Sequence, residues 1–171
     1  MPELKKFKFR DIRLSVFVKA PPERVYTAAT SARQLCAWWV DRAETDIRNM
    51  GRFRLVWPSG RGRDGFEGRG AFVDLERGKK LAWMWDKASL PRGVPPLTSL
   101  FIESKRDGCQ VTLVHAGFSA RPSADRVFRR YAQGWEDCLA KLSLYAESGK
   151  TCKADQLSLS EIALLHRKRS A

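Results

Sequence analysis

SADRVFRRYAQGWEDCLAKLSLYA, residues 123–146, carries Val127, Tyr131, Trp135, Cys138, Leu139 and Leu142 at three- and four-residue spacing. That period draws one apolar stripe down an α-helix, with Arg126, Arg129 and Arg130 left outside it. Most of such a helix's stability has to come from laying the stripe on something else. The sequence before it supplies strands.

Working back toward the N terminus, residues 97–105 and 109–116 alternate and are joined by Arg106-Asp107-Gly108, where Asp-Gly signals a tight turn. Leu81, Trp83 and Trp85 form another alternating set. The run 66–76 reads as a strand with Gly68 and Gly70 at a bulge or bend. Phe53, Leu55 and Trp57 alternate with Arg52 and Arg54, and PSGRGRDG then provides an open hairpin loop. Residues 7–19 begin the series, with Ile12, Leu14, Val16 and Val18 on one side and Arg13, Ser15 and Lys19 on the other. Between this strand and the rest, Pro21-Pro22 opens a short helix over residues 23–29, and a second covers residues 33–40 with Trp38 and Trp39. The order predicts an α+β fold. A curved antiparallel sheet of about six to seven strands wraps a long C-terminal helix, with two short helices after the first strand.

Composition narrows the setting. The chain has 171 residues, 32 Lys plus Arg and 19 Asp plus Glu, for a net charge of +13. Hydrophobic content of 43% excludes wholesale disorder. No apolar run approaches the 18 residues of a membrane span, and MPELKKFKFRDIRL lacks the apolar core of a secretory signal. Cys36, Cys109, Cys138 and Cys152 form no CxxC pair, so reduced thiols and a cytoplasmic location are expected. Six Trp is the unusual count.

Several stretches resemble one known group. APPERVYTAAT (20–30), the Trp38-Trp39 pair, Gly51-Arg-Phe53, GRGAFVDLERGKKLAWMW (68–85), TLVHAGF (112–118) and GWEDCLAKL (134–142) are together similar to the SRPBCC (START-like, birch-pollen-allergen-like) superfamily. The branch resembled is that of bacterial homologues of the activator of the heat-shock-protein-90 ATPase. The resemblance covers residues 7–147 and implies a helix-grip fold with an apolar cavity. Its members range from lipid carriers to cyclases and chaperone activators, so it does not choose among activities. Two features depart from the pattern. Met50 stands where members usually have the first Gly of a Gly-Gly pair, and residues 148–171 form a basic extension. That extension is expected as a short helix, opened by the Ser158-x-x-Glu161 capping pattern, or as a mobile tail.

The candidate ligand-binding residues are Trp39, Phe53, Trp57, Trp83, Trp85, His115, Tyr131 and Trp135. Inward aromatics ordinarily fill a core. With the fold resemblance added, they equally suit the lining of a small-molecule pocket. His115 and Tyr131 are the catalytic candidates. A general base needs an orienting partner, for which Asp86, Glu103 and Glu136 are available, and a lone His is usually structural. His166 lies in the extension. Two distant His and unspaced Cys give no metal site, and no cofactor is expected. No GxSxG elbow occurs, and GRGRDGFEGRG lacks the ending of a phosphate loop.

Basic residues cluster at Lys5, Lys6, Lys8 and Arg10, at Arg61, Arg63 and Arg69, at Arg77, Lys79 and Lys80, at Arg126, Arg129 and Arg130, and at 167–169. Solvated faces explain most of this. Salt-sensitive binding of an acidic protein partner or an anionic amphipath follows from the same charge, while no nucleic-acid motif accompanies it. The leading expectation is a monomer or homodimer that holds a hydrophobic or aromatic small molecule without turnover. The rivals are a cyclase/aromatase-type or hydrolytic enzyme in the same cavity, and a chaperone-activator-like interaction module.

Overall fold

The computed structural model describes residues 8–58 and 65–170, Ser170 by its backbone alone. Seven strands form one antiparallel sheet: β1 (Phe9–Val18), β2 (Arg42–Thr45), β3 (Arg52–Trp57), β4 (Phe66–Glu76), β5 (Lys80–Trp85), β6 (Leu97–Lys105) and β7 (Gly108–Ser119). Their order across the sheet is β1-β7-β6-β5-β4-β3-β2, so only β1 is out of sequence. Between β1 and β2 lie α1 (Pro22–Thr30) and α2 (Ala32–Trp38); after β7 come α3 (Asp125–Ser148) and α4 (Leu159–Ser170). This is the expected α+β helix grip. Among the described residues no helix is long and apolar enough to cross a membrane.

Local chemistry sets the element boundaries. Pro22 occupies the first helical position of α1, where a missing N–H costs nothing, and the Ser31 hydroxyl caps α2 at Gln34 N. Helix α2 ends at Trp38, two residues short of the expected limit, and Trp39 leaves the helix at φ −125°. A 3₁₀ turn at Pro122–Ala124 precedes α3, so the long helix starts at Asp125, and Gly149 in the left-handed region closes it.

The sheet differs from expectation in three places. Strand β2 was not foreseen: Arg42–Thr45 holds no buried residue, and pairing with β3 makes it a strand. The irregularity of β4 falls between Phe72 and Asp74, not at its glycines. Those glycines make room instead. A Cβ on Gly68 would lie 2.5 Å from the Trp85 ring, and one on Gly70 would lie 2.6 Å from the Phe53 ring. The β6–β7 turn is made by Arg106 and Asp107, with Asp107 at φ +66° and Gly108 already in β7. Phe7, Lys5, Lys6, Arg61, Arg63 and the hairpin tip lie outside the described residues.

The core sits between the concave sheet face and the helices, around Leu81, Trp83, Leu100, Leu113, Leu139 and Leu142. Helix α4 docks on α3. Ile162 is buried, the Glu161 carboxylate accepts the Ser158 N–H at 2.7 Å, and Glu136 accepts the Leu159 N–H at 2.8 Å. The largely buried Glu147 carboxylate accepts the Lys19 N–H and meets His166 Nε2 at 2.8 Å.

Candidate functional site

Adjacent Trp38 and Trp39 have opposite fates because the chain turns between them. Trp38 is 1% exposed and its indole N–H donates to Ala28 O at 2.9 Å. Trp39 stacks on it, centroids 5.5 Å apart at 8°, and turns its far side outward. There it meets Trp57 edge-on at 5.0 Å and Trp135 of α3 at 6.0 Å. Trp57 in turn contacts Phe66 at 5.3 Å and Trp85 at 6.4 Å. Alternation in β3, β4 and β5 aims these rings to one side, so three strands, helix α3 and the residue that closes α2 share a single aromatic wall.

Two spaces adjoin it. The one expected between sheet and long helix holds about 40 Å³, bounded by Leu35, Trp38, Phe53, Phe72, Trp83, Leu139 and Leu142 among others. A dry cavity of ~150 Å³ admits benzene, so this space is too small for a ring. The other is a cleft of about 320 Å³ at the open end, lined by Trp39, Trp57, Phe66, Trp85, Leu90, Pro91, Arg130, Tyr131, Gly134, Trp135, Asp137 and Gln156. That volume falls in the range of small-molecule sites. Trp39 and Trp135 border both spaces.

Of the sequence-derived candidates, Trp39, Trp57, Trp85, Tyr131 and Trp135 come together in the cleft, while Phe53 and Trp83 line only the inner space. His115 lines neither. It is fully buried, and Nε2 lies 2.6 Å from Pro95 O while Nδ1 accepts the Trp135 indole N–H at 2.9 Å. A ring that accepts at Nδ1 and donates at Nε2 is neutral. Burial lowers its pKa, with the Pro95 bond opposing. Asp86 pairs with Arg52, Glu103 with Lys105, and Glu136 caps α4, so these carboxylates have other work. His115 therefore positions Trp135 by tying it to the loop that carries Leu90 and Pro91. Burial also raises the Tyr131 pKa, and the Arg130 charge pulls the other way.

Sequence reasoning missed Phe66, Leu90, Pro91, Arg130, Gly134, Asp137 and Gln156. Phe66 had a signal, since it shares parity with Phe72 in β4. Gly134 had one too: a glycine three residues after Tyr131 leaves a gap in the stripe, and a Cβ there meets nothing within 4 Å. Among the described residues no His, Cys, Asp and Glu side chains converge as metal ligands.

The pattern of the family described as Activator of Hsp90 ATPase homolog 1-like protein matches residues 19–147. No curated protein matches the chain. Solved structures match widely. The Aha1 dimer from Colwellia psychrerythraea is similar at TM-score 0.68 and 19% identity, covering 82% of this chain and 98% of its own. CalU16 from Micromonospora echinospora is similar at TM-score 0.62 and 21% identity, covering 94% and 83%. Protein CV1439 from Chromobacterium violaceum is similar at TM-score 0.62 and 23% identity, covering 80% and 96%. At these identities the likeness concerns the fold.

Proposed function

This chain belongs to the family of Activator of Hsp90 ATPase homolog 1-like proteins, and from that premise we propose that it binds a flat, mostly apolar small molecule in the cleft beside Trp39 and Trp135. The observation that carries the reading is the cleft itself: about 320 Å³ of space walled by Trp39, Trp57, Phe66, Trp85 and Tyr131. Rings left facing open space lose the burial that ordinarily stabilises them. A ring system seated among them would regain about 2.5 kcal/mol for each ~100 Å² of apolar surface removed from water. The relative described as a dimer supports a monomer or homodimer as the working assembly. Turnover has less behind it, because both nitrogens of His115 are committed within the protein.

Gly134→Leu tests this directly. The side chain would project into the cleft from a helix that gains by losing glycine, roughly 0.8 kcal/mol in intrinsic preference. The neutral fluorescent probe N-phenyl-1-naphthylamine should bind the native protein saturably at one site per chain. The Leu variant should keep its thermal midpoint or raise it, and lose at least tenfold in affinity. Equal binding by a folded Gly134→Leu protein would sink the proposal.

A further inference from the structure

The cleft's polar atoms differ in what they have left to give. The Trp85 indole N–H donates to Thr98 Oγ1 at 3.3 Å, and that of Trp135 donates to His115. Asp137 is the acidic wall residue, but its charge is spent. Oδ1 accepts the Leu157 N–H at 2.8 Å, and Oδ2 lies 2.8 Å from the ammonium of Lys141, whose side chain is 4% exposed. Gln156 is engaged within the protein. What remains is the indole N–H of Trp39 and of Trp57, the Tyr131 hydroxyl and the Arg130 guanidinium. None has a hydrogen-bond partner or ion pair among the described residues. Three of these four groups can only donate, and one carries a full positive charge.

Arg130 is one of several arginines without an ion pair among the described residues, and it is the one that lines the cleft. Arg10, Arg48, Arg52, Arg54, Arg69 and Arg77 each pair with a carboxylate. Arg126 and Arg130 face each other one turn apart on α3 with no acid between them, an arrangement that costs a helix a few tenths of a kcal/mol. A bound anion would relieve it. A guanidinium fork matches a carboxylate with two parallel hydrogen bonds, and the indole and phenyl faces of the wall offer apolar surface to a flat ring.

We infer that the ligand of this cleft is an aromatic acid, its rings against Trp39, Trp57 and Phe66 and its carboxylate at the rim against Arg130 and Tyr131. The inference rests on the binding reading above and adds the ligand's charge and orientation. Titration calorimetry with two matched probes separates the two claims. 2-Naphthoate should bind the native protein about tenfold more tightly than 2-naphthamide, which has the same ring and no charge. Arg130→Gln should bring the two probes to equal affinity while leaving the amide's unchanged. Arg129→Gln removes the same charge from a residue outside the cleft and should keep the preference. Equal affinities in the native protein would overturn the acid and leave the cleft a neutral-ligand site. Equal losses in the two Arg variants would overturn the Arg130 contact in favour of net charge. Failure of both probes to bind would overturn the binding reading as well.

Discussion

Replacing His115 by Leu removes the side chain that ties the loop at Pro95 to Trp135 of the cleft wall. Leucine fills similar space but neither donates nor accepts. The Trp135 N–H and the Pro95 carbonyl would then face a fully buried position without partners. Each stranded group costs ~1–3 kcal/mol, so the pair costs about 2–6 kcal/mol, a large share of the ~5–15 kcal/mol that holds a domain together. The loss should also depend on pH. Native His115 has a lowered pKa, so as pH falls below about 6.5 the unfolded chain takes up a proton that the native one refuses. Its contribution is therefore complete above that pH and diminishes as pH falls toward the native pKa. Denaturant unfolding followed by Trp fluorescence should show the full deficit of His115→Leu at pH 7.5 and a smaller one at pH 5.5. A deficit below about 1 kcal/mol at pH 7.5, or one identical at both pH values, would refute the neutral, doubly bonded ring.

Two further outcomes follow from the backbone and the tail. Met50 sits at φ +66° with 70% of its surface exposed, so Met50→Gly sheds a left-handed penalty of ~1–2 kcal/mol against an entropy cost of ~0.5–1 kcal/mol. Calorimetric melting should show a net gain of about 0.5–1 kcal/mol; Met50→Val should lose stability, and the opposite signs would contradict that backbone. Ile162→Ala takes the buried anchor out of α4, a change worth ~2–5 kcal/mol where the site cannot collapse. Amide exchange should quicken across residues 159–170 and stay slow in β6 and β7; unchanged exchange in α4 would mean that other contacts hold it.

Alternation made most of the sheet legible. Ile12, Val16 and Val18 in β1 and Leu81, Trp83 and Trp85 in β5 are buried as their parity requires. Strand β2 was not legible, because three polar residues and one alanine at a sheet edge carry too little pattern and take their conformation from β3. The two glycines of β4 read as a bend because a sequence does not show what lies across a strand pair. Gly70 pairs with Phe53 on one side and with Trp85 on the other. For the cleft, periodicity reached Trp57, Trp85, Tyr131 and Trp135 but passed over Phe66, and it did not reach Leu90 and Pro91, whose place follows from a loop without period. Arg130 was legible as charge and not as part of the wall, since exposure at a helix rim has no sequence signature.

The location of the open space follows from the same rings. A helix lying across a curved sheet leaves a gap that side chains must fill or leave empty, and an empty gap costs roughly 24 cal/mol per Å³. Phe53, Phe72 and Trp83 enter it from the sheet, and Phe53 does so over the bare Cα of Gly70. Leu139 and Leu142 enter from α3, and about 40 Å³ is left. At the open end the filling stops. Gly134 presents no side chain where the stripe calls for one, while Trp135 is held back by His115 and Trp85 by Thr98. Aromatic rings can pivot about Cβ, yet these two, one on α3 and one on β5, are tied through their indole nitrogens and do not fold in to close the space. Two of the cleft's rings are thus held in place, and pre-set rings of this kind lower the ordering cost a ligand meets on binding. Cutting the Trp135 tie with His115→Leu should therefore cost probe affinity as well as stability, even though His115 touches neither space.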